Sequence, residues 1–118
     1  MANSIFVVLT NPVEGREDEF NQWYSDIHVR EVVDIPGFVS AQRFALSDAQ
    51  SAGAGPHKYL AIYEVEGDPA AALEALKAAR PNLNMSDALD RASISTRMFT
   101  PITGKVTEGM KAKRAAGD

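Results

Sequence analysis

Residues 20–37 read FNQWYSDIHVREVVDIPG and predict an amphipathic helix that ends at a Pro-Gly turn. Phe20, Trp23, Tyr24 and Ile27 recur at helical spacing, so we expect them to form one apolar stripe. His28 lies at the edge of that stripe, where an imidazole can face a pocket between the helix and the layer that covers it. This segment therefore contains the best candidate for a site of neutral-pH chemistry.

The flanking sequence predicts four strands and a second helix. Runs of β-branched and aromatic residues, bounded by Pro, Gly and Asn, predict strands over 4–10, 38–46, 57–65 and 93–100. Asp68 and Pro69 suit the cap and the first position of a helix that continues over 70–80 and stops at Pro81. The resulting order is β-α-β-β-α-β, which predicts a ferredoxin-like α+β fold with a four-stranded antiparallel sheet and both helices on one face.

The third predicted strand is apolar on both of its faces. Tyr59, Ala61 and Tyr63 alternate there with Leu60 and Ile62, a pattern typical of a strand that is covered on both sides. Two helices cover only one face of a four-stranded sheet. We therefore expect a homodimer in which the sheets of two protomers pack face to face.

Composition limits the other classes of function. The 118 residues contain no cysteine and no apolar run long enough to cross a membrane, and 24% of them are charged. The net charge of −4 disfavours binding to nucleic acid. These features predict a cytoplasmic protein with one domain over residues 1–103, a flexible basic tail over 104–118, and no nucleic-acid or membrane partner.

The motifs of this chain resemble the EthD-like branch of the dimeric α+β barrel superfamily. The resemblance rests on Trp23-Tyr24, His28, Glu31 and the Ile35–Phe38 turn, and it also includes segments 40–44, 59–64 and 97–102. It implies a dimeric α+β barrel whose protomers each hold a pocket between the sheet and the first helix. It also implies that the helix histidine, here His28, points into that pocket. Where such proteins often have proline two residues after this histidine, this chain has Arg30, which adds a cation near the expected entrance.

A set of side chains around His28 forms the candidate site. His28 is the expected general acid/base, and Glu31, three residues on, can hold its ring by a hydrogen bond. The alternative for His28 is an exposed histidine with a local carboxylate neighbour. We expect Trp23 and Tyr24 to form flat aromatic walls of the pocket, although one of the two can instead be an anchor of the core. Tyr63 is the third aromatic residue that we expect to contact the substrate.

Two arginines lie within otherwise apolar strands. Arg43 and Arg97 can each bind a substrate carboxylate or enolate oxygen, or can pair with Glu64, with Glu66 or with an acid across the dimer. Two histidines without a nearby acidic pattern make a poor metal site, so we expect neither a metal nor a cofactor.

Three hypotheses of function follow from these residues and from the resemblance. The first is a cofactor-independent isomerase, dehydratase or lyase that acts on a small aromatic, lactone or polyketide-like carbonyl compound, with His28 as acid and base. The second is a cofactor-free monooxygenase of phenolic substrates. The third is a non-catalytic dimer that binds a small ligand.

Overall fold

A computed structural model describes residues 2–110, which form a sheet with helices on one face. The strands are β1 (Ser4–Thr10), β2 (Phe38–Ala45), β3 (Tyr59–Val65) and β4 (Ser95–Phe99). The helical elements are α1 (Glu17–Trp23), a π-helical turn (Tyr24–His28), α2 (Val29–Val33) and α3 (Pro69–Ala79). Short 3₁₀ turns over Arg80–Asn82 and Arg91–Ser93 lie between α3 and β4.

The sheet has the order β2-β3-β1-β4, and every neighbouring pair is antiparallel. This is the ferredoxin-like arrangement, so the predicted fold class is confirmed. Strand β1 has the predicted bounds, whereas the other three strands are shorter than predicted. The predicted strand residues that do not join the sheet lie in the adjacent loops. His57 and Ser93 are two of them, and the ring of His57 hydrogen-bonds to the backbone carbonyl of Ser93.

The core lies between the sheet and the helices. Alternate residues of β1 point into it, as do Ala61, Tyr63 and Val65 of β3. Aromatic rings dominate this layer, because Phe6 lies edge-on to Phe38 and also contacts Tyr63. Large buried rings of this kind contribute much of the hydrophobic stabilisation of a small domain.

The π-helical turn changes which residues of the first helical segment face the core. An α-helix would keep Ile27 in the apolar stripe, but Ile27 is 42% exposed. The π turn inserts an additional residue, so His28 takes the place below Trp23 and Tyr24 that Ile27 was expected to occupy. The expected apolar stripe was therefore wrong at Ile27.

The turn into β2 is held against α3 by a close contact at Gly37. Gly37 has φ of +98°, and a Cβ atom built on it would lie 2.9 Å from the Cβ of Ala72. Its carbonyl accepts a hydrogen bond from the backbone N–H of Glu66. The carboxylate of Asp68 caps α3 by accepting from the N–H of Ala70, as the sequence predicted.

The opposite face of the sheet carries no helix within the described residues. It presents a continuous set of partly exposed apolar side chains, namely Ile5, Val7, Leu9, Phe44, Leu60, Ile62 and Phe99. Arg97 lies on this face as well, because its register partner Val7 points there.

Outside the sheet and helices, the part of the expected tail that is described, residues 104–110, is exposed. Residues 111–118 of that tail lie outside the described residues. No helix within residues 2–110 is long and apolar enough to span a membrane.

Candidate functional site

A cavity of about 380 Å³ lies between the sheet and the helices. Its volume is within the range of roughly 300–1,000 Å³ that is usual for small-molecule sites. The walls come from β1, β3, the first helical segment and the loops after α3, and most of them are apolar or aromatic: Phe6, Val8, Trp23, Tyr24, Tyr63 and Leu83. Such walls suit a compact ligand with a large apolar surface.

His28 forms part of the wall of this cavity. Its ring stacks on Trp23 with 4.7 Å between the centroids and lies edge-on to Tyr24 at 5.0 Å. Nδ1 is buried and has no hydrogen-bond partner among the described residues. The other ring nitrogen, Nε2, is not buried without a partner in this way.

Burial lowers the pKa of His28 from 6.5 to about 4. The nearby carboxylate of Glu31 opposes this shift, and the guanidinium of Arg43 adds to it. The imidazole is therefore neutral at neutral pH. A neutral ring has one N–H donor and one acceptor nitrogen, so it can bond to a ligand oxygen in either sense.

Glu31 does not hold the ring of His28 by a hydrogen bond, contrary to the expectation from their spacing. Its carboxylate instead accepts from the backbone N–H and the side-chain amide of Asn84 at 3.0 and 2.9 Å. Asn84 is also the acceptor for the indole N–H of Trp23, at 2.6 Å. Asn84 is thus bonded to both Glu31 and Trp23 of the first helical segment. These bonds hold the loop that contributes Leu83 and Met85 to the cavity.

Tyr24 and Tyr63 form a buried pair at one wall of the cavity. The hydroxyl of Tyr63 donates to that of Tyr24 at 3.4 Å, and burial raises the pKa of both residues. Since the oxygen of Tyr24 accepts this bond, its own proton is free to reach a ligand. Both rings line the same cavity as His28.

Arg43 lies behind this wall and not in the cavity. Its guanidinium covers the ring of Tyr24 at 4.4 Å and bonds to Ser25 Oγ and Asn21 Oδ1 at 2.8 and 3.0 Å. Arg43 does not line the cavity, and no carboxylate forms an ion pair with it within residues 2–110. The aromatic face of Tyr24 takes the place of the acid that the sequence suggested.

Arg97 is separated from His28 by the sheet. It points to the face opposite the cavity, where its guanidinium donates to the carbonyl of Thr96. Strand alternation accounts for this, because Thr96 and Met98 are the β4 residues that face the helices. The expected role of Arg97 in binding substrate beside His28 is therefore not supported by its position in this protomer.

Two cavity residues that the sequence did not indicate are Arg80 and Arg91. Both are exposed, so they lie where the cavity opens to solvent. Arg30, which was expected at the entrance, lies instead with Val39 on the other side of the helix, so that expectation was wrong. No sequence pattern indicated these two residues as part of a site, because Arg80 is the last residue of the predicted helix over 70–80 and Arg91 lies in a segment without a motif.

Comparison with known proteins gives the fold. One similar structure is that of the heme-degrader MhuD from Mycobacterium tuberculosis, with two hemes bound in its active site. The TM-score is 0.58 and the sequence identity is 16%, and the match covers 87% of this chain and 99% of MhuD. A proposed monooxygenase from Shewanella loihica PV-4 is similar with a TM-score of 0.51 and 16% identity over 87% of this chain and 98% of its own.

The chain shares the ferredoxin-like fold of these two structures. No family model matches the sequence, and no curated protein is similar enough to indicate an activity. At 16% identity the two structural matches establish the architecture and leave the chemistry to be argued from the site. Among residues 2–110 no three metal-ligating side chains come together.

Proposed function

We propose that this protein is an enzyme that oxidises a small phenol- or enol-type compound in the cavity by using molecular oxygen and no cofactor. The proposal rests on one observation: the imidazole of His28, which is neutral at neutral pH, lines an apolar cavity with aromatic walls. In this arrangement the oxygen of the substrate bonds to Nε2, and a proton transfer between them starts the reaction.

The lowered pKa of His28 favours a hydroxyl substrate over a carbon acid. Transfer from a phenol with a pKa near 10 to an imidazole with a pKa near 4 costs about 8 kcal/mol. Turnover at about 10 per second allows a barrier of about 16 kcal/mol, so this cost is acceptable. The α-hydrogen of a simple ketone or lactone is a much weaker acid than a phenol, and its removal by the same imidazole costs correspondingly more.

The oxidation balances without an added reductant. A phenol with a hydrogen at the para carbon reacts with O₂ to give a quinone and water: one oxygen atom enters at carbon, the other leaves as water, and the substrate supplies the electrons. The protein binds the substrate, excludes water and holds the proton at Nε2 of His28. The description of the Shewanella loihica neighbour as a proposed monooxygenase agrees with this reaction class.

The isomerase, dehydratase or lyase reaction is the second candidate, because the same imidazole and the resemblance to the EthD-like branch support it. The two candidates differ in their need for oxygen. We expect a naphthol to be consumed with uptake of O₂, and ¹⁸O from labelled O₂ to appear in the product, with no metal or flavin added. Consumption of the naphthol or of a muconolactone at an equal rate under argon would favour the second candidate.

The control for this assay compares the two histidines of the chain. His28→Gln removes the proton acceptor and should lower turnover by about 100-fold or more. His57→Gln makes the same change at a residue outside the cavity, where the ring contacts Ser93, and should leave turnover unchanged. Equal turnover by the His28→Gln variant and the unaltered protein would reject the role of His28 in both catalytic candidates, whereas ligand binding without turnover in the unaltered protein would favour a non-catalytic binding protein.

Heme belongs in the ligand panel because the structure of MhuD contains two hemes in its active site. In this chain Nε2 of His28 would be the group available to hold the iron, and the apolar walls would cover the macrocycle. Titration with hemin, followed by the Soret band, tests this possibility. If hemin binds saturably to the unaltered protein and does not bind to the His28→Gln variant, heme becomes the preferred substrate candidate in place of the phenol.

We also propose that two protomers pack through their sheets. The support is the continuous apolar set on the uncovered face, in which Phe44 and Phe99 are 40% and 53% exposed. Ile62→Glu places a charge in the middle of this face and should give a monomer in light scattering, whereas Leu73→Glu on α3 should not change the mass. A monomer in the unaltered protein would reject the proposed packing.

A further inference from the structure

The mouth of the cavity carries two cations on separate short turns. Arg80 begins the 3₁₀ turn that follows α3, and Arg91 begins the turn that precedes β4. Both line the same cavity, and both are exposed. Since arginine side chains can cover apolar surface with their stems while their guanidinium groups stay in water, the two residues can contact an apolar ligand and its charged end together.

Neither guanidinium is neutralised by a carboxylate within the described residues. The ion pairs found there join Arg16 to Glu19 and Lys58 to Glu17, which lie elsewhere. Asp90 is next to Arg91 in sequence, but its carboxylate caps the turn by accepting from the N–H of Ala92 at 3.1 Å. The carboxylate of Glu31, on the first helical segment, accepts hydrogen bonds from Asn84.

The two guanidinium groups form a local positive region in a chain whose net charge is −4. An acidic protein repels anions on average, so an anionic ligand needs a local positive potential to approach a site. Paired guanidinium groups provide one, and their planar donors match the geometry of a carboxylate. A mouth of this kind differs from the interior of the cavity, where the wall residues are mainly apolar and His28 is neutral.

We propose that Arg80 and Arg91 select a substrate that carries a carboxylate at the end opposite its reactive hydroxyl. This inference rests on the proposed function in one respect, namely that the hydroxyl end of the ligand lies at His28. The apolar body of the ligand fills the cavity, and the carboxylate stays at the mouth, where it remains partly hydrated. Arg80 and Arg91 are thus specificity-determining residues that do not take part in proton transfer.

A matched pair of ligands tests the proposal. The first is a hydroxynaphthoate with its hydroxyl and carboxylate at opposite ends, and the second is its methyl ester, which has nearly the same shape and no charge. We expect the unaltered protein to bind the carboxylate about 10-fold more tightly than the ester at low salt, with the ratio falling as salt is added. Isothermal titration calorimetry gives both dissociation constants.

Substitutions then assign the preference to residues. Arg80→Gln and Arg91→Gln should each reduce the ratio about 2- to 5-fold, because each guanidinium is partly hydrated, and the double variant should bring it close to unity. Lys77→Gln removes one positive charge from the exposed surface of α3 without touching the cavity and should leave the ratio unchanged. Binding of the neutral ester should be the same in all four variants.

The possible outcomes separate this proposal from the proposed function. Equal affinity of the unaltered protein for carboxylate and ester would overturn the selection of an anion and leave the oxidation intact. A preference that depends on Arg80 and Arg91 in a protein that shows no turnover would support the anion site and reject the enzyme. A preference that persists in the double variant would overturn the role of the two arginines, and failure of both ligands to bind would reject both proposals.

Discussion

The imidazole of His28 stacks on the indole of Trp23, with 4.7 Å between the ring centroids and 24° between the planes. This contact exists because the π-helical turn brings residue 28 into line with residue 23. It removes one face of the imidazole from water and orients its free edge. The sequence indicated both residues, but only the local geometry of the turn makes them neighbours.

The first prediction concerns stability at low pH. The folded-state pKa of His28 is lowered to about 4 from 6.5, so between these values the unfolded chain binds the proton more readily than the folded protein does. The free energy of unfolding should therefore fall as the pH decreases from 6.5 toward 4. The contribution of His28 should be at most about 3 kcal/mol, since the ring is not fully enclosed.

Urea unfolding of the unaltered protein and the His28→Gln variant at several pH values measures this contribution. Other groups titrate in both proteins, so the informative quantity is the difference between the two curves. We expect it to change between pH 6.5 and 4 and to be constant above 7. A difference that is independent of pH would show that His28 is not buried as described.

The second prediction concerns the attachment of Asn84. Glu31→Gln weakens the charge-assisted bonds to Asn84, and Trp23→Phe removes the bond from the indole to its carbonyl. Each should lower the free energy of unfolding by about 1 kcal/mol. Because both act on the same residue, the double variant should lose about 0.5 kcal/mol less than the sum of the two. Additive losses in chemical denaturation would show that the two contacts are independent.

The third prediction concerns Arg43. Lysine at this position keeps the charge but loses the planar contact with Tyr24 and the paired bonds to Asn21 and Ser25. Arg43→Lys should therefore lower the free energy of unfolding by about 1–2 kcal/mol, as measured by thermal denaturation. It should leave KM unchanged, because the guanidinium lies outside the cavity. Arg30→Lys, at an exposed position, should have little effect. A large rise in KM for Arg43→Lys would instead support the role in substrate binding that the sequence suggested.

The fourth prediction separates two costs of replacing glycine. Gly37→Ala meets both an unfavourable φ of +98° and the nearby Ala72 Cβ, whereas Gly67→Ala meets only a φ of +80° with open space around it. We expect a loss of about 1 kcal/mol at Gly67 and about 2–3 kcal/mol at Gly37. Gly53→Ala has neither problem and should be nearly neutral. Equal losses at Gly37 and Gly67 would show that α3 shifts freely.

Much of the fold could be predicted from short patterns. Strand alternation identified β1 to the residue, and the Asp68-Pro69 pair identified the beginning of α3, because these signals are local. The side of the sheet on which Arg97 lies depends on the register of β4 against β1, which no local pattern specifies. Arg43 was expected to need a carboxylate, whereas an aromatic ring from a different element serves it.

The candidate site was predicted in part for the same reason. His28, Trp23 and Tyr24 lie in one short segment, so the sequence could indicate all three, although the π-helical turn determines how they contact one another. Arg80 and Arg91 lie on two short 3₁₀ turns that are brought to the cavity by the tertiary fold, which no local pattern specifies. Glu31 was correctly placed on the same helical segment, but its partner Asn84 is 53 residues away.

The most direct test of the account is the ¹⁵N chemical shift of the His28 side chain during titration with a naphthol or the hydroxynaphthoate. We predict that Nε2 shifts on binding, that Nδ1 responds less, and that His57 does not respond. Saturation of the ligand with both His28 nitrogens unchanged would contradict the claim that this imidazole exchanges a proton with the substrate.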